Sequence, residues 1–178
     1  MINLMGKSTA GGRDERRMVN FAVAVATVLV LLDQITKQLV VGMFRLHEQR
    51  IVIPGFFNLT YITNKGAAWG MFHGYGWALL LVSLVVMGII VWRMRALTEG
   101  WHERYLALFL IMSGIVGNSI DRLWRKEVVD FLDFQFFGYH WPAFNVADSA
   151  ITVGVTIYLL SVLFRPGKET VVSPPDAS

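Results

Sequence analysis

The residues of this chain with the means to do chemistry are Asp33, Lys37, Asn64, Asn118, Asp121, Arg122, Asp130, Asp133, Asn145 and Asp148, and most lie inside or at the ends of apolar runs. At the centre of a membrane-spanning helix an Asp, Lys or Arg costs roughly 2.5–3.5 kcal/mol on insertion scales, so such residues are functional candidates by default. Asp33 and Lys37 are four apart, share a helix face and can pair. That pair reads either as a structural ion pair or as a charge near a substrate. Asn118, Asp121 and Arg122 fall at i, i+3 and i+4, again one face; the plain alternative is a cap at a helix exit, with Arg122 reaching for headgroups. Asp148 sits near the start of an apolar run, where a helix N-terminus favours negative charge, and Asn145 suits the N-cap. Asp130 lies in Val128-Val129-Asp130-Phe131, an apolar setting for a carboxylate, and spacing alone does not choose between it and Asp133.

Two carboxylates facing each other share one proton, because like charges about 3 Å apart cannot both ionise easily. The ionised one takes a proton from water as the water attacks an amide carbonyl. The protonated one polarises that carbonyl and a proton is later returned to the leaving amine. Neither a metal nor a covalent nucleophile is required. Other chemistries find little support. The sequence has no Gly-rich phosphate loop, no His-Glu-x-x-His and no Gly-x-Ser-x-Gly. His47, His73, His102 and His140 are scattered and are expected outside the helices. With no Cys there is no disulfide framework, thiolate metal site or Cys nucleophile.

The elements that must hold these residues are membrane helices. Of 178 residues, 54% are hydrophobic and 16% charged, against about 45–50% and 25% in soluble domains. A spanning helix needs about 20 mostly apolar residues. Four runs approach that length, none with an interior Pro: Val19 to Val41, Tyr75 to Trp92, Tyr105 to Ile120 and Phe144 to Phe164. The first leads into Asp33 and Lys37 without a small-x-small site, so it is not a cleaved signal peptide. The net charge of +3 resides at the ends of these runs, which suits a membrane surface and not nucleic acid. A slight excess of Lys and Arg beside the termini puts the termini in the cytoplasm. Between the first two runs, Arg50-Ile-Val-Ile-Pro54 and Phe56 to Thr63 read as short strands with Pro54-Gly55 as a turn. The loop from Arg122 to Pro142 mixes aromatics with charges, as interfacial segments do. Residues 1–18 are expected to be polar and disordered, 19–165 to form the membrane domain, and 166–178 to be a disordered tail.

The chain resembles the lipoprotein signal peptidase (signal peptidase II) family. The resemblance is carried by Asp33-Gln-Ile-Thr-Lys37, Tyr61-Ile-Thr-Asn64-Lys-Gly-Ala-Ala-Trp-Gly70, Gly117-Asn118-Ser-Ile-Asp121-Arg122, Val128-Val-Asp130-Phe and Pro142-Ala-Phe-Asn145-Val-Ala-Asp148-Ser, in that order along nearly the whole chain. Trp69 and Ser119 fall where variation is expected. The resemblance implies an integral membrane protein of four transmembrane helices, otherwise all-α, with a small β-like platform outside the bacterial cytoplasmic (inner) membrane. It implies an aspartic endopeptidase that cuts diacylglyceryl-modified prolipoproteins just before the modified Cys. It makes Asp130 and Asp148 the catalytic pair, which decides against Asp133. Asn64, Asn118, Arg122 and Asn145 would surround the substrate, with Asp33, Lys37 and Asp121 in support. No cofactor or metal is implied; the expected partners are prolipoprotein and membrane lipids, and the expected state is a monomer.

Two other classes compete. Intramembrane Asp, Lys and Arg also mark ion paths, but here they gather toward one side and no helix looks broken at mid-membrane. A non-enzymatic scaffold would tolerate Asp130→Asn and Asp148→Asn.

Overall fold

A computed structural model of the protein describes residues 6–66 and 74–165. The tail 166–178 and residues 67–73, with Trp69 and His73, lie outside the described residues. The helices are α1 (Gly6–Met43), α2 (Gly76–Thr98), α3 (His102–Trp124) and α4 (Val146–Phe164). All four are long and apolar enough to cross a membrane.

Each expected run is found, with shifted ends. The largest shift is in α1, which is helical from Gly6 and not disordered to Met18 as expected. Glu15, Arg16 and Arg17 are good helix formers, and the Tyr105 hydroxyl of α3 donates to Glu15 Oε1 at 2.6 Å, docking this polar extension. With 38 residues α1 is about 57 Å long, well beyond the roughly 30 Å of a hydrocarbon core. His102, expected in a loop, opens α3.

α3 is the central helix: over half of its apolar span is buried, against a small part of α2. It packs mainly on α4 and α1. Lipid tails are as apolar as the helices, so association in a bilayer relies on close backbone approach through small residues. A Cβ on Gly114 would run into the carbonyl of Ala147, and one on Gly154 would lie 2.7 Å from Ala107 O. α2 instead exposes Trp77, Leu81, Val85 and Trp92, as a lipid-facing helix does.

The β element is larger than the sequence suggested. Strands β1 (Gln49–Ile53), β2 (Phe57–Asn64), β3 (Val128–Phe136) and β4 (Tyr139–His140) form an antiparallel sheet in that order. The Pro54-Gly55 turn is present, closed by Phe56 N donating to Ile53 O (3.1 Å) with Gly55 at φ 72°. The interfacial loop expected after Arg122 is instead β3, the strand that joins the sheet to the helices. Val129 and Phe131 on one face of β3 pack on Val40 of α1. The sheet therefore sits at the end of the bundle where α1 and α3 finish and α2 and α4 begin.

Candidate active site

Side chains alternate along a strand, so Asp130 and Asp133 fall on opposite faces of β3. β2 pairs with β3 as Asn58↔Asp133, and then, past an irregularity between Leu59 and Ile62, as Ile62↔Asp130 and Asn64↔Val128. Such a bulge re-aims the residues after it. Here it brings Ile62 and Asn64 to the same face as Val128 and Asp130. Asp133 is held on the far face by Asn58 Nδ2 (3.0 Å) and Gln49 Nε2 (2.6 Å), with His140 Nδ1 3.6 Å away.

α4 brings the second carboxylate. Asn145 caps it: its Oδ1 accepts from Asp148 N (2.9 Å), and Asp148 Oδ2 accepts from Asn145 N (3.3 Å), a reciprocal capping box. The next free amide of that first turn, Ala147 N, donates to Asp33 Oδ1 from α1 (2.9 Å). A requirement of the helix end thereby fixes three side chains of the site.

Three asparagines then tie the carboxylates together, and the orientation of each amide follows from a partner that can only donate. Asn145 Oδ1 faces a backbone N–H, so its Nδ2 is the donor to Asp130 Oδ1 (2.8 Å); Val129 O and Asn118 Oδ1 lie at 3.2 and 3.3 Å from the same nitrogen. Asn64 Oδ1 accepts from Gly66 N (2.8 Å), so its Nδ2 faces Asp130 Oδ2 (3.3 Å). Asn118 Oδ1 accepts from Lys37 Nζ (3.0 Å), so its Nδ2 donates to Asp148 Oδ1 (2.7 Å).

Lys37 is fully buried and all three of its protons are used: Asn118, Asp33 Oδ2 (2.9 Å) and Asp121 Oδ2 (3.0 Å). Asp121 also accepts from Val129 N (3.2 Å), linking the ion cluster to β3. A Cβ on Gly117 would lie 2.6 Å from Asp33 Oδ2, so α3 needs glycine there.

In front of the carboxylates lies a cavity of about 780 Å³. Asn64, Asn118, Arg122, Asp130 and Asp148 line it, together with Ile62, Val128, Trp141, Phe144 and Ile151. Arg122 reaches across it to Gly66 O (3.2 Å). Asn145 is fully buried and stands behind the two carboxylates, where the resemblance implied a residue around the substrate. Asp33, Lys37 and Asp121 form the layer beneath. Burial pushes the Asp130 carboxyl up to about 7; the facing Asp148 adds to the rise, and hydrogen bonds from Asn145 and Asn64 oppose it. Such a group keeps its proton to far higher pH than an exposed carboxyl does.

Sequence reasoning named the residues of this site but missed two aspects of it. Asn145 reads in the sequence as a cap and a substrate contact, yet it links the two carboxylates, its side-chain Nδ2 donating to Asp130 Oδ1 and its backbone N–H to Asp148 Oδ2. Gln34 has no role of its own within the Asp33-Gln-Ile-Thr-Lys37 motif, yet its Nε2 donates to Asp33 Oδ2 (3.0 Å) and Gly117 O (3.1 Å). The i, i+1 adjacency of Gln34 to Asp33 was the available signal.

The sequence profile of signal peptidase (SPase) II matches residues 25–164. A lipoprotein signal peptidase of Desulforapulum autotrophicum is 46% identical over 146 residues, which cover 79% of this chain and 90% of that protein. One from Bacillus pumilus is 42% identical over 152 residues, covering 84% and 96%. Among solved structures, a bacterial membrane enzyme determined by the in meso method at 2.3 Å resolution superposes with a TM-score of 0.78 at 32% identity, over 86% of this chain and 95% of that one. A match over most of the chain in both sequence and fold means that this multi-pass membrane protein belongs to the signal peptidase II family.

Proposed function

We propose that Asp130 and Asp148 are the catalytic carboxylates of this lipoprotein signal peptidase, acting on prolipoproteins whose Cys carries diacylglycerol. The cut falls just before that Cys. The observation that carries this reading is a buried carboxylate, Asp130, and a part-buried one, Asp148, linked through Asn145 on the wall of one cavity. Water attacks the scissile carbonyl carbon and gives a proton to the ionised carboxylate. The carbonyl oxygen receives the proton of the other. The tetrahedral species collapses as a carboxyl proton passes to the leaving nitrogen.

The position of the site fits such a substrate. A lipidated Cys is anchored in the bilayer, so its scissile bond lies near the membrane boundary. The carboxylates stand where helix ends meet the sheet. Asn64, Asn118 and Arg122 line the cavity and offer hydrogen bonds to an extended peptide, whose polar groups find no water within lipid. We place this end outside the cytoplasmic membrane and the termini in the cytoplasm, in keeping with the charge bias, and take the working unit to be a monomer in contact with membrane lipid. Asp33, Lys37 and Asp121 support the site without touching substrate.

The test uses purified protein in detergent and a prolipoprotein bearing diacylglyceryl-Cys, with cleavage followed by gel shift. Cleavage should survive a chelator and Asp133→Asn and be lost in Asp130→Asn and Asp148→Asn. Undiminished cleavage by either of the last two, with protein folded as wild type, would overturn the assignment.

A further inference from the structure

The two carboxylates of the site are not equivalent. Each accepts two hydrogen bonds, but from different kinds of donor. Asp148 Oδ1 takes a short bond from Asn118 (2.7 Å), whose own oxygen accepts from the Lys37 ammonium (3.0 Å). An ammonium on the oxygen of an amide polarises its N–H groups and strengthens what they donate. Asp148 is also the third residue of α4, in the first turn, where the helix dipole favours an anion. Asp130 lies on a strand, which has no comparable dipole. Each carboxylate has one short bond and one of 3.3 Å, so length does not separate them; the asparagine donors of Asp130 are oriented by backbone N–H groups and not by an ammonium.

The other charged groups around the pair do not undo this. Arg122 faces Asp148 and Asp130 as well as Asp121, and so favours ionisation of both members. Lys37 acts on Asp130 through space but touches the donor of Asp148 directly. Outside the pair, Asp33 is a like charge that faces Asp148, and its carboxylate is engaged by Lys37, Gln34 and Ala147 N.

We infer that the pair is asymmetric by construction: Asp148 carries the charge and takes the proton from water, Asp130 carries the shared proton and gives it to the scissile carbonyl, and Asn118, polarised by Lys37, is the positioning residue that sets this order. The inference rests on the peptidase reading for its roles, but not for its protonation states. The balance closes over one turnover. The proton taken by Asp148 leaves on the new amine as the C–N bond breaks. The proton lent by Asp130 returns from the gem-diol hydroxyl as the new acid's C=O forms. Asp130 and Asp148 end as they began.

Removing a hydrogen-bond donor makes the carboxylate it served harder to ionise. That permits a crossed test on the pH profile of kcat/KM, whose acidic limb reports the ionised member and whose basic limb reports the protonated one. Asn118→Leu should move the acidic limb up by about one pH unit and leave the basic limb in place. Asn64→Leu should move the basic limb up and leave the acidic limb in place. The opposite pattern would reverse the assignment and overturn the inference. Loss of substrate contacts or of general structure lowers the profile without exchanging limbs. Where a variant cleaves too slowly, carbon-13 NMR titration of the labelled Asp carboxyls reads the same two steps, assigned with Asp130→Asn and Asp148→Asn. In Asn118→Leu the lower step should rise; an unchanged lower step with a raised upper step would overturn the inference. That readout needs no cleavage, so failure of the peptidase reading would be seen separately, as intact carboxylate titrations without product.

Discussion

The protein buries a cation at each end of its helical bundle, and the two are built differently. Lys37, beneath the carboxylates, has 0% exposure, and its acidic partners Asp33 and Asp121 are as deeply buried. Arg104, at the other end, is 2% exposed, but its acidic partner Glu99 is well exposed (2.8 Å). Its remaining bonds go to Ser161 Oγ (3.0 Å) and to the backbone oxygens of Ser161 (3.4 Å) and Arg165 (2.6 Å), the final carbonyls of α4. Arg104 thus closes a helix end: it satisfies the carbonyl of residue 165 beyond the last turn, adds a second bond to Ser161 O, which already accepts from Arg165 N (2.9 Å), and places a cation at the negative end of the helix dipole. Lys37 closes nothing comparable: it holds charges in place within hydrocarbon. One end spends polar groups on completing a helix, the other on keeping a polarised, water-poor cluster where chemistry can use it.

The sharpest way to break the comparison is to remove each cation. Lys37→Met takes the shared counter-ion from the buried Asp33 and Asp121 carboxylates, leaving Asp121 with Arg125 Nε at 3.4 Å and Asp33 with no cation among the described residues, a loss of about 3–5 kcal/mol, together with the order of the carboxylate pair. Arg104→Met leaves backbone carbonyls at a helix end that water or headgroups can reach, and should cost about 1–2 kcal/mol with cleavage largely retained. Thermal unfolding in detergent and the prolipoprotein assay give both numbers. Equal losses of stability and activity from the two changes would mean that the two ends are alike after all.

A second contrast uses glycine. Gly117→Ala pushes a methyl group against Asp33 Oδ2, and Gly154→Ala pushes one against Ala107 O. The first forces α3 from α1 and the second forces α4 from α3, at about 1–3 kcal/mol each for overpacking. Gly117 lies beside the ion cluster, however, and Gly154 lies a turn and more beyond the carboxylates along α4. Gly117→Ala should therefore lower kcat by tenfold or more beyond its effect on unfolding, while Gly154→Ala should lower stability with kcat nearly unchanged. A kcat loss from Gly154→Ala as large as that from Gly117→Ala would show that helix spacing, and not the Asp33 contact, controls the site.

The Asp130 carboxyl gives the comparison a pH axis. Its folded value, about 7, lies above that of an unfolded Asp, near 3.9. A group raised in the folded state contributes its full stability below the unfolded value and loses it as pH rises through the folded value. Wild-type stability should thus fall between about pH 4 and pH 7 by on the order of 2–4 kcal/mol, and Asp130→Asn should be the flatter and, at pH 8, the more stable of the two. Unfolding temperatures measured across that range settle the sign. A wild-type curve parallel to that of Asp130→Asn would mean that Asp130 ionises as freely as an exposed carboxylate.

Much of this was legible in the sequence, for physical reasons that differ from residue to residue. The four helices were visible because hydrocarbon imposes length and apolarity together. The Asp33–Lys37 pair was visible because i, i+4 spacing is local. β3 was missed because its acidic residues and interfacial aromatics masked a strand; yet the odd separation of Asp130 and Asp133 already implies opposite faces, and so decides between them, once the segment is read as a strand. The bulge in β2 that carries Asn64 round to Asp130 has no local signature. Arg104 stands just before the apolar run that starts at Tyr105, where a basic residue reads as one more charge at the membrane surface. Nothing near it in sequence says that its guanidinium reaches the last turn of α4, because that contact depends on how α3 and α4 are paired. The polar start of α1 was misread for the same reason, since Glu15 is held by Tyr105 from another helix.

The smallest expected effect tests what the clasp at the Arg104 end consists of. The Arg165 side chain is half exposed, pairs with Glu103 at 3.2 Å and lies over the Trp101 ring at 4.6 Å. A count of charges would make it a principal member of the cluster. The geometry says otherwise, because what Arg104 holds is the carbonyl of residue 165, which any residue supplies. Arg165→Gln removes a partly exposed ion pair and a cation–π contact, together worth about 0.5–1 kcal/mol, and leaves the bonds of Arg104 intact. Its unfolding temperature should sit closer to wild type than that of Arg104→Met. If Arg165→Gln were instead as damaging as Arg104→Met, this end would be held by charge, as the Lys37 end is, and the distinction between a cation that completes a helix and one that serves a reaction site would fail.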